Sequence, residues 1–399
     1  MSLFASIEQA PADPILGITD AFKSDPSADK VNLGIGVYQD ESGKLPLMDA
    51  VARAEAIIAE TPKPRGYLPM DGIPEFTAAT KELVFGPGNE AVASGRIVTL
   101  QSLAGTGALK IGADFLHRAF PAARILFSDP TWDNHSAIYA GAGFEIDYYP
   151  YYDRATGGVN FPGMLEGISA AAPGTVVLLH ACCHNPSGCD LTPAQWAQVL
   201  DVVAEKQLVP FFDMAYQGFA VGPEEDPVGV RLAAERGLLF LVANSYSKTF
   251  GLYGERVGAL SIGCTDATEA KRVLSRAKLS VRSNYSNPPT HGASIVSTVL
   301  STPELRASWE AEVASYRDRI ANMRHLLAEG LKANGVANTD FVTNQRGMFT
   351  FTGLSAEQMQ TLRGEYHIYG VDNGRICVAA INTRNVEYVA QSLAKLLPR

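Results

Sequence analysis

One lysine, Lys248, stands just after an apolar run and among small hydroxylated residues. Residues 244–249 read NSYSKT and follow the run 240–243. Open α/β sheets bind ligands beyond the carboxyl ends of their parallel strands, so a lysine here can meet a ligand. A buried lysine amine can form a Schiff base with an aldehyde, and neighbouring hydroxyl groups such as that of Ser245 suit a phosphate. A single lysine is more often a solvated surface residue, so the other motifs in the sequence must show whether Lys248 belongs to a site.

Two further strand ends carry polar groups that can hold a heteroaromatic ring. Asp213 ends the apolar run 209–212, and its carboxylate can keep a pyridinium nitrogen protonated. Tyr216 and Asn185, the latter in the turn HNPSG, can both reach a phenolic oxygen on the same ring. Other interpretations stay open, because an Asp after a strand often caps a helix or binds a metal, and Asn-Pro is a strong turn former.

A metal site is the rival interpretation of segment 180–189. Its candidate ligands are His180, Cys182, Cys183, His184 and Cys189. Two adjacent cysteines do not readily bind one tetrahedral metal ion together, and no second pair of ligands follows at the spacing found in zinc fingers. The sequence therefore predicts no metal.

A glycine-rich segment can bind phosphate. Residues 102–108 read SLAGTGA and are predicted to form a turn between the run ending at Leu100 and a helix. Backbone N–H groups at a helix N-terminus, here those of Gly105 and Thr106, attract phosphate. A nicotinamide-binding fingerprint is the alternative, since Asp129 follows the next apolar run, but its third glycine position is Lys110. A monophosphate cradle fits better.

Three arginines stand near these positions. Arg256 lies eight residues after Lys248 and can grip a phosphate with two N–H groups. Arg282 opens the segment RSNYSNPP, and Arg375 opens a strand-like run near the C-terminus. Each of them alone is more often an ordinary surface residue.

Alternating apolar and amphipathic segments must position this chemistry. Strands are predicted at 97–100, 124–127, 175–179, 209–212, 240–243 and 258–262, and helices at 107–119, 193–205 and 228–236. This alternation predicts a mostly parallel sheet covered on both faces. Helical patterns at 303–334, 356–366 and 386–397, with strand-like pieces at 348–352 and 376–380, predict a small α+β domain.

Length and composition indicate the number of domains, the class of partner and the cellular compartment. A chain of 399 residues favours two or three domains: a large domain at 45–314, a small domain at 13–44 and 315–399, and an extended N-terminal arm at 1–12. The net charge of −9 argues against nucleic acid as a partner. Five cysteines, three of them clustered, favour a reducing compartment over a disulfide framework. No secretory signal or membrane helix is recognisable, so the predicted location is the cytoplasm.

Taken together, these motifs resemble the class I aminotransferases of fold type I, and within them the bacterial aspartate and aromatic-amino-acid aminotransferases. The resemblance runs from DPILG at 13–17 to the last helix. It is carried by NLGIGVY at 32–38, GTGA at 105–108, DPTWDNH at 129–135, HNP at 184–186, DMAYQGF at 213–219, SYSK at 245–248 and the segment 282–289. It implies a pyridoxal-phosphate enzyme and a seven-stranded sheet in the large domain.

The resemblance also implies roles for the cofactor-binding residues. Lys248 would carry the cofactor and shuttle the proton between Cα and C4′, and Asp213, supported by His135, would hold the pyridine nitrogen. Asn185 and Tyr216 match the donors to the phenolic oxygen, and Trp132 matches the ring that stacks on the cofactor. The phosphate site is matched by Gly105, Thr106, Ser245 and Arg256.

Substrate-binding roles follow from the same resemblance. Arg375 is similar to the clamp on the substrate α-carboxylate, which Gly36, Trp132 and Asn185 would border. Tyr67 and Arg282 resemble residues that reach the site from a partner subunit, the first to the phosphate and the second to the distal carboxylate of a dicarboxylate. A homodimer with shared sites is implied.

This chain departs from the family pattern near the site. Ala104 replaces a common Ser or Gly, and Asp372-Asn373 precedes the clamp where Ala-Ser is common. Leu45 adds apolar surface at the mouth, and YLPM at 67–70 resembles the aromatic branch. We hypothesise dual specificity, in which dicarboxylates pair with Arg282 and aromatic side chains displace it. Another pyridoxal-phosphate reaction, a cofactor-binding regulator and a nicotinamide oxidoreductase remain the rival interpretations.

Overall fold

The computed structural model describes residues 2–9 and 16–398, so part of the predicted arm and the motif at 13–17 lie largely outside the described residues. The strands are β1 Val31–Asn32, β2 Ile97–Leu103, β3 Arg124–Asp129, β4 Glu145–Pro150, β5 Tyr152–Asp153, β6 Gly158–Val159, β7 Val176–His180, β8 Val209–Met214, β9 Phe240–Ser245, β10 Val257–Gly263, β11 Phe349–Phe351, β12 Ile368–Tyr369 and β13 Arg375–Cys377. The helices are α1 Leu16–Ser24, α2 Asp49–Glu60, α3 Pro74–Phe85, α4 Glu90–Ala93, α5 Ala104–Ala119, α6 Asn134–Ala140, α7 Phe161–Ser169, α8 Pro193–Glu205, α9 Val228–Glu235, α10 Ala267–Asn284, α11 His291–Ser301, α12 Pro303–Ala333, α13 Asp340–Asn344, α14 Ala356–Tyr366 and α15 Val386–Ala394.

A seven-stranded sheet with the order β2-β10-β9-β8-β7-β3-β4 forms the centre of the molecule. Strand β10 is antiparallel to both of its neighbours, and the other pairs are parallel. The predicted α/β class with a mostly parallel sheet is confirmed. The edge strand β4 has no apolar run because most of its side chains are at least partly exposed, and the sequence pattern therefore missed it.

Both faces of the sheet are covered, as a parallel sheet requires. Successive side chains of a strand point to opposite faces, so Phe211 and Phe212 enter different cores. Phe212 packs in the core that contains residues of α8 and α12. Phe211 packs in the core that contains residues of α5 and α10, and a Cβ at Gly112 would lie 2.5 Å from its ring. Helix α5 therefore lies very close to the strands whose ends carry the predicted site.

Capping residues explain why some predicted helix boundaries match the structure. Helix α8 begins at Pro193 after a reciprocal capping box between Thr192 and Gln195. Helix α14 begins after the same arrangement between Ser355 and Gln358. Each box satisfies two backbone N–H groups that the helix itself leaves free, and this signal is local in sequence.

Short sheets lie outside the central sheet, and one of them joins the N-terminal and C-terminal parts of the chain. Strand β1 pairs with β12 in parallel, and β11 pairs with β13 antiparallel. The predicted strand at 376–380 is wrong beyond Cys377, because Val378–Ala380 form a buried 3-10 turn, and a short buried apolar run does not distinguish the two. These contacts bring segments assigned to the small domain together, and the domain division itself stays a prediction. Within the described residues, no helix is long and apolar enough to cross a membrane.

Candidate active site

The carboxyl ends of five strands surround a cavity of about 230 Å³. Eleven of the thirteen predicted site residues line it: Gly36, Gly105, Thr106, Trp132, Asn185, Asp213, Tyr216, Ser245, Lys248, Arg256 and Arg375. They follow or end β2, β3, β7, β8 and β9, apart from Gly36, Arg256 and Arg375. This is where the topology of an open parallel sheet provides a binding crevice.

Lys248 places an amine in this cavity. Its Nζ lies 4.9 Å from the centroid of the Tyr216 ring. Burial lowers the pKa of Lys248 to about 8; the positive charges of Arg256 and Arg375 act in the same direction, and Asp213 opposes them. A substantial fraction of the amine is therefore neutral near pH 8, and only the neutral amine is a nucleophile or a base.

Asp213 is the carboxylate of the cavity, and His135 supports it from behind. His135 Nε2 and Asp213 Oδ2 are 3.0 Å apart, and His135 Nδ1 lies 2.8 Å from the Thr131 hydroxyl. An ionised carboxylate only accepts hydrogen bonds, so Nε2 of His135 donates. Burial alone would raise the pKa of Asp213, but this hydrogen bond and the charges of His135 and Lys248 bring it below its ordinary value. The carboxylate is therefore kept ionised.

A second histidine, His180, lies beside this pair. Both ring nitrogens of His180 are buried and unpaired among the described residues, and burial lowers its pKa to about 3. Ligand atoms of His135, His180 and Asp213 lie within 4.8 Å of one another, a different set from the one considered in segment 180–189. Since His135 Nε2 already donates to Asp213, its lone pair is not available there for a metal ion.

The phosphate cradle differs in detail from the predicted turn. Strand β2 ends at Leu103 and α5 starts at Ala104, so Gly105 and Thr106 lie in the first helical turn. The change of direction is made in one residue, because Ala104 has a φ of 55° and donates its N–H to the Arg256 carbonyl. A Cβ at Gly105 would lie 3.2 Å from that of Ser245, so the helix N-terminus and the end of β9 meet closely. Free N–H groups of a first turn attract anions.

Arg375 is a buried cation held by two oxygen atoms. Its Nη1 donates to Asn185 Oδ1 at 3.0 Å, and its Nη2 donates to the Gly34 carbonyl at 2.8 Å. The Phe349 ring lies 4.3 Å from the guanidinium carbon, and a Cβ at Gly36 would lie 2.8 Å from the same ring. Among the described residues Nε of Arg375 has no partner. The hydrogen bonds that hold this buried guanidinium go to neutral oxygens, and a guanidinium group suits an incoming carboxylate.

Two predicted site residues do not line the cavity of the single chain. Tyr67 is 97% exposed, and Arg282 is exposed at the last turn of α10, where it donates to the Ser286 hydroxyl. The prediction placed both on a partner subunit, and that contribution stays a prediction.

The chain matches known proteins over its whole length. A family model, aminotransferase class I and II, covers residues 28–393. The chain belongs to the class I and II aminotransferases. It is 52% identical to an aspartate aminotransferase of Pseudomonas aeruginosa over 100% of both chains. It is 48% identical to an aromatic-amino-acid aminotransferase of Escherichia coli over 99% of this chain and 100% of the other.

Solved aminotransferase structures agree with this fold. An aromatic-amino-acid aminotransferase of Burkholderia pseudomallei, covalently bound to pyridoxal phosphate, superposes with a TM-score of 0.97 at 54% identity and full coverage of both chains. An aromatic-amino-acid aminotransferase of Psychrobacter sp. B6, cocrystallised with aspartic acid, gives a TM-score of 0.97 at 45% identity and full coverage of both chains. The predicted family and fold class are confirmed.

The cavity of this aminotransferase also contains residues that the sequence did not single out for the site. Tyr253 and Phe349 line it, and the Tyr253 hydroxyl accepts a hydrogen bond from the Tyr38 N–H at 3.0 Å. Tyr253 follows Lys248 by five residues, so its position in the same loop was a usable signal. Phe349 lies on a three-residue strand far along the chain, and no local pattern separates it from an ordinary core phenylalanine.

Proposed function

We propose that this aminotransferase binds pyridoxal 5′-phosphate at Lys248 and transfers the amino group of aspartate or an aromatic amino acid to 2-oxoglutarate in two half-reactions. The observation that carries the proposal is the meeting of a partly neutral amine, Lys248, and an ionised carboxylate, Asp213, in one cavity at the strand ends. The first group suits an aldehyde, and the second suits a protonated ring nitrogen.

The residues present fit this cofactor. Asp213 would hold the ring nitrogen, Asn185 and Tyr216 would donate to the phenolic oxygen, and Trp132 would cover the ring. The phosphate would lie on the first turn of α5, with Gly105, Thr106, Ser245 and Arg256 around it. When bound, the cofactor supplies an aldehyde for covalent attachment and a ring that withdraws electrons from the substrate Cα.

The side chains of this protein do the remaining work. The Arg375 guanidinium binds the substrate α-carboxylate and so orients the Cα–H bond. Lys248 Nζ in its neutral form takes the proton from Cα, and the lowered pKa of this amine increases the neutral fraction near pH 8. His135 holds the Asp213 carboxylate in place through the bond from its Nε2.

The substrate range follows from the mouth of the site. A dicarboxylate needs a second cation, which we assign to Arg282 of a partner subunit, and an aromatic side chain needs apolar surface such as Leu45, which is 45% exposed in the single chain. We therefore propose that both substrate classes react, and that the enzyme is a homodimer with shared sites. The five cysteines are all unpaired, which supports the cytoplasm as the compartment.

The purified protein tests this proposal directly. It should have a visible absorption band that shifts on addition of aspartate or phenylalanine, and borohydride should abolish this band by reducing the imine to an amine that leaves the cofactor attached to residue 248. Lys248→Ala should lose both responses, while Lys271→Ala, which removes an exposed lysine, should keep them. A protein that stays colourless when supplied with pyridoxal phosphate contradicts cofactor binding. No detectable turnover of aromatic amino acids with 2-oxoglutarate contradicts dual specificity alone.

A further inference from the structure

A second cavity, of about 290 Å³, lies outside the active site and has a basic lining. It is open to solvent and bordered by helix α12, by residues 343–347 and by Phe219 and Ala220. None of the described residues around it is an Asp or Glu, and four of them are basic: Arg317, Arg324, His325 and Arg346. The whole chain carries a net charge of −9, so this lining is opposite in sign to the protein as a whole.

Arg324 places a fixed, buried cation in the lining of this cavity. Its side chain is buried, and its guanidinium donates to the Val342, Gly347 and Phe349 carbonyls and to the Thr350 hydroxyl. No described carboxylate pairs with it, and its Nε has no partner among the described residues. Burial lowers its pKa to about 10, so the group is still a cation at neutral pH.

The nearby carboxylates do not neutralise this lining. Arg317 has an ion pair of 3.8 Å with Asp318, which is itself largely exposed. Asp190 is buried near Arg346, but it does not line the cavity and its two oxygens accept the Cys183 and His184 N–H groups. His325 and Arg346 form no ion pair within the described parts of the chain.

We propose that this cavity binds a small phosphate-type oxyanion, either inorganic phosphate or a phosphate monoester. Like charges so close together repel one another, and an anion with two negative charges relieves that repulsion. Arg346 can offer its guanidinium N–H groups to the phosphate oxygens, whereas Arg324, whose Nη groups already donate to four protein acceptors, contributes its positive charge. The Asn344 amide and the Thr343 hydroxyl also line the cavity and supply neutral donors. The volume suffices, since one water molecule occupies about 30 Å³ in the liquid.

The site would lie behind the substrate clamp. The same guanidinium that lines the cavity holds the Phe349 carbonyl, and the Phe349 ring contacts Arg375 in the active site. An anion beside Arg324 therefore touches the segment that positions the clamp.

Calorimetric titration of the holoenzyme with inorganic phosphate, at constant ionic strength, tests the proposal. The cofactor then fills the phosphate cradle on α5, and about one further phosphate per chain should bind. Arg346→Ala removes an exposed cation that lines this cavity and not the active site, and it should weaken binding about tenfold. Arg272→Ala, an exposed arginine on α10, is the matched control and should leave the affinity unchanged. Thermal unfolding of each variant checks its fold.

The titrations can support or overturn phosphate binding in this cavity. Absence of saturable binding overturns the proposal, and so does an equal affinity in wild type and Arg346→Ala, since the phosphate would then bind elsewhere. A parallel titration with glycerol phosphate distinguishes the two sources, because the tighter of the two ligands identifies the form that the cavity accepts. His325→Ala, which removes a second exposed group of the lining, should weaken binding in the same direction.

Discussion

The side-chain amide of Asn287 donates a hydrogen bond to the Leu68 carbonyl at 2.7 Å. This bond joins the segment that carries Tyr67 to the segment that carries Arg282, although they are far apart in sequence. Ser286, which accepts a hydrogen bond from Arg282, also donates to Asn287 at 2.9 Å. The two residues assigned to a partner's active site therefore belong to one connected surface of the chain, and a single neighbouring subunit can receive both.

Mixed dimers test this sharing. Chains with Lys248→Ala and chains with Arg282→Leu should each be nearly inactive toward aspartate. In a mixed dimer, one site combines an intact Lys248 with the intact Arg282 of the other chain. If half of the dimers are mixed and one of their two sites is intact, about a quarter of the wild-type turnover should return after refolding a one-to-one mixture. Activity that never exceeds the mean of the separate variants contradicts shared sites.

The pH dependence of cofactor capture tests the environment of Lys248. Its pKa is lowered to about 8, so raising the pH through 8 converts the protonated amine to the neutral form that attacks an aldehyde. The rate at which the cofactor-free protein captures pyridoxal phosphate should therefore rise up to about pH 8 and then level off. Stopped-flow absorbance measures it, with Lys248→Ala as the control that shows no covalent phase. A rate that keeps rising to pH 10 means that the amine has the pKa of an ordinary lysine.

Much of the fold and site followed from local patterns. Apolar runs, capping residues and strand-end polar groups such as Asp213 and Lys248 are each visible within a few residues of sequence. The predicted start of helix α5 was wrong because a single residue, Ala104, makes the turn between β2 and α5 with a positive φ. Alanine gives no signal of that conformation in the sequence.

Long-range contacts account for what the sequence did not reveal. Phe349, which lies against Arg375 and Gly36, belongs to the cavity only because β11 pairs with β13. The buried Arg324 looks like one of several basic residues on an amphipathic helix, and its four acceptors come from residues 342–350. Such partners are set by packing between distant elements, which no short pattern encodes.

Phe349 is expected to position the carboxylate clamp. Phe349→Leu keeps an apolar side chain but removes the ring 4.3 Å from the Arg375 guanidinium. A buried cation–π contact contributes about 1–2 kcal/mol, so KM for amino acids should rise about five- to thirtyfold, with kcat nearly unchanged. Phe351→Leu, on the same strand but outside the cavity, is the matched control and should leave KM unaltered. An equal rise in KM for both variants indicates a general loss of packing instead.

Arg324 is expected to be the largest single contributor to the stability of the segment 342–350. Arg324→Met removes a buried cation and leaves three carbonyls and one hydroxyl without their donor. Unpaired buried polar groups each cost about 1–3 kcal/mol, so the free energy of unfolding should fall by about 3–5 kcal/mol. Urea unfolding measures this change, with Lys332→Met, an exposed position on the same helix, as the control. Because the Phe349 carbonyl is one of the released acceptors, KM for amino acids should also rise in the folded variant. A loss of less than about 1 kcal/mol, with KM unchanged, would mean that packing alone fixes this segment.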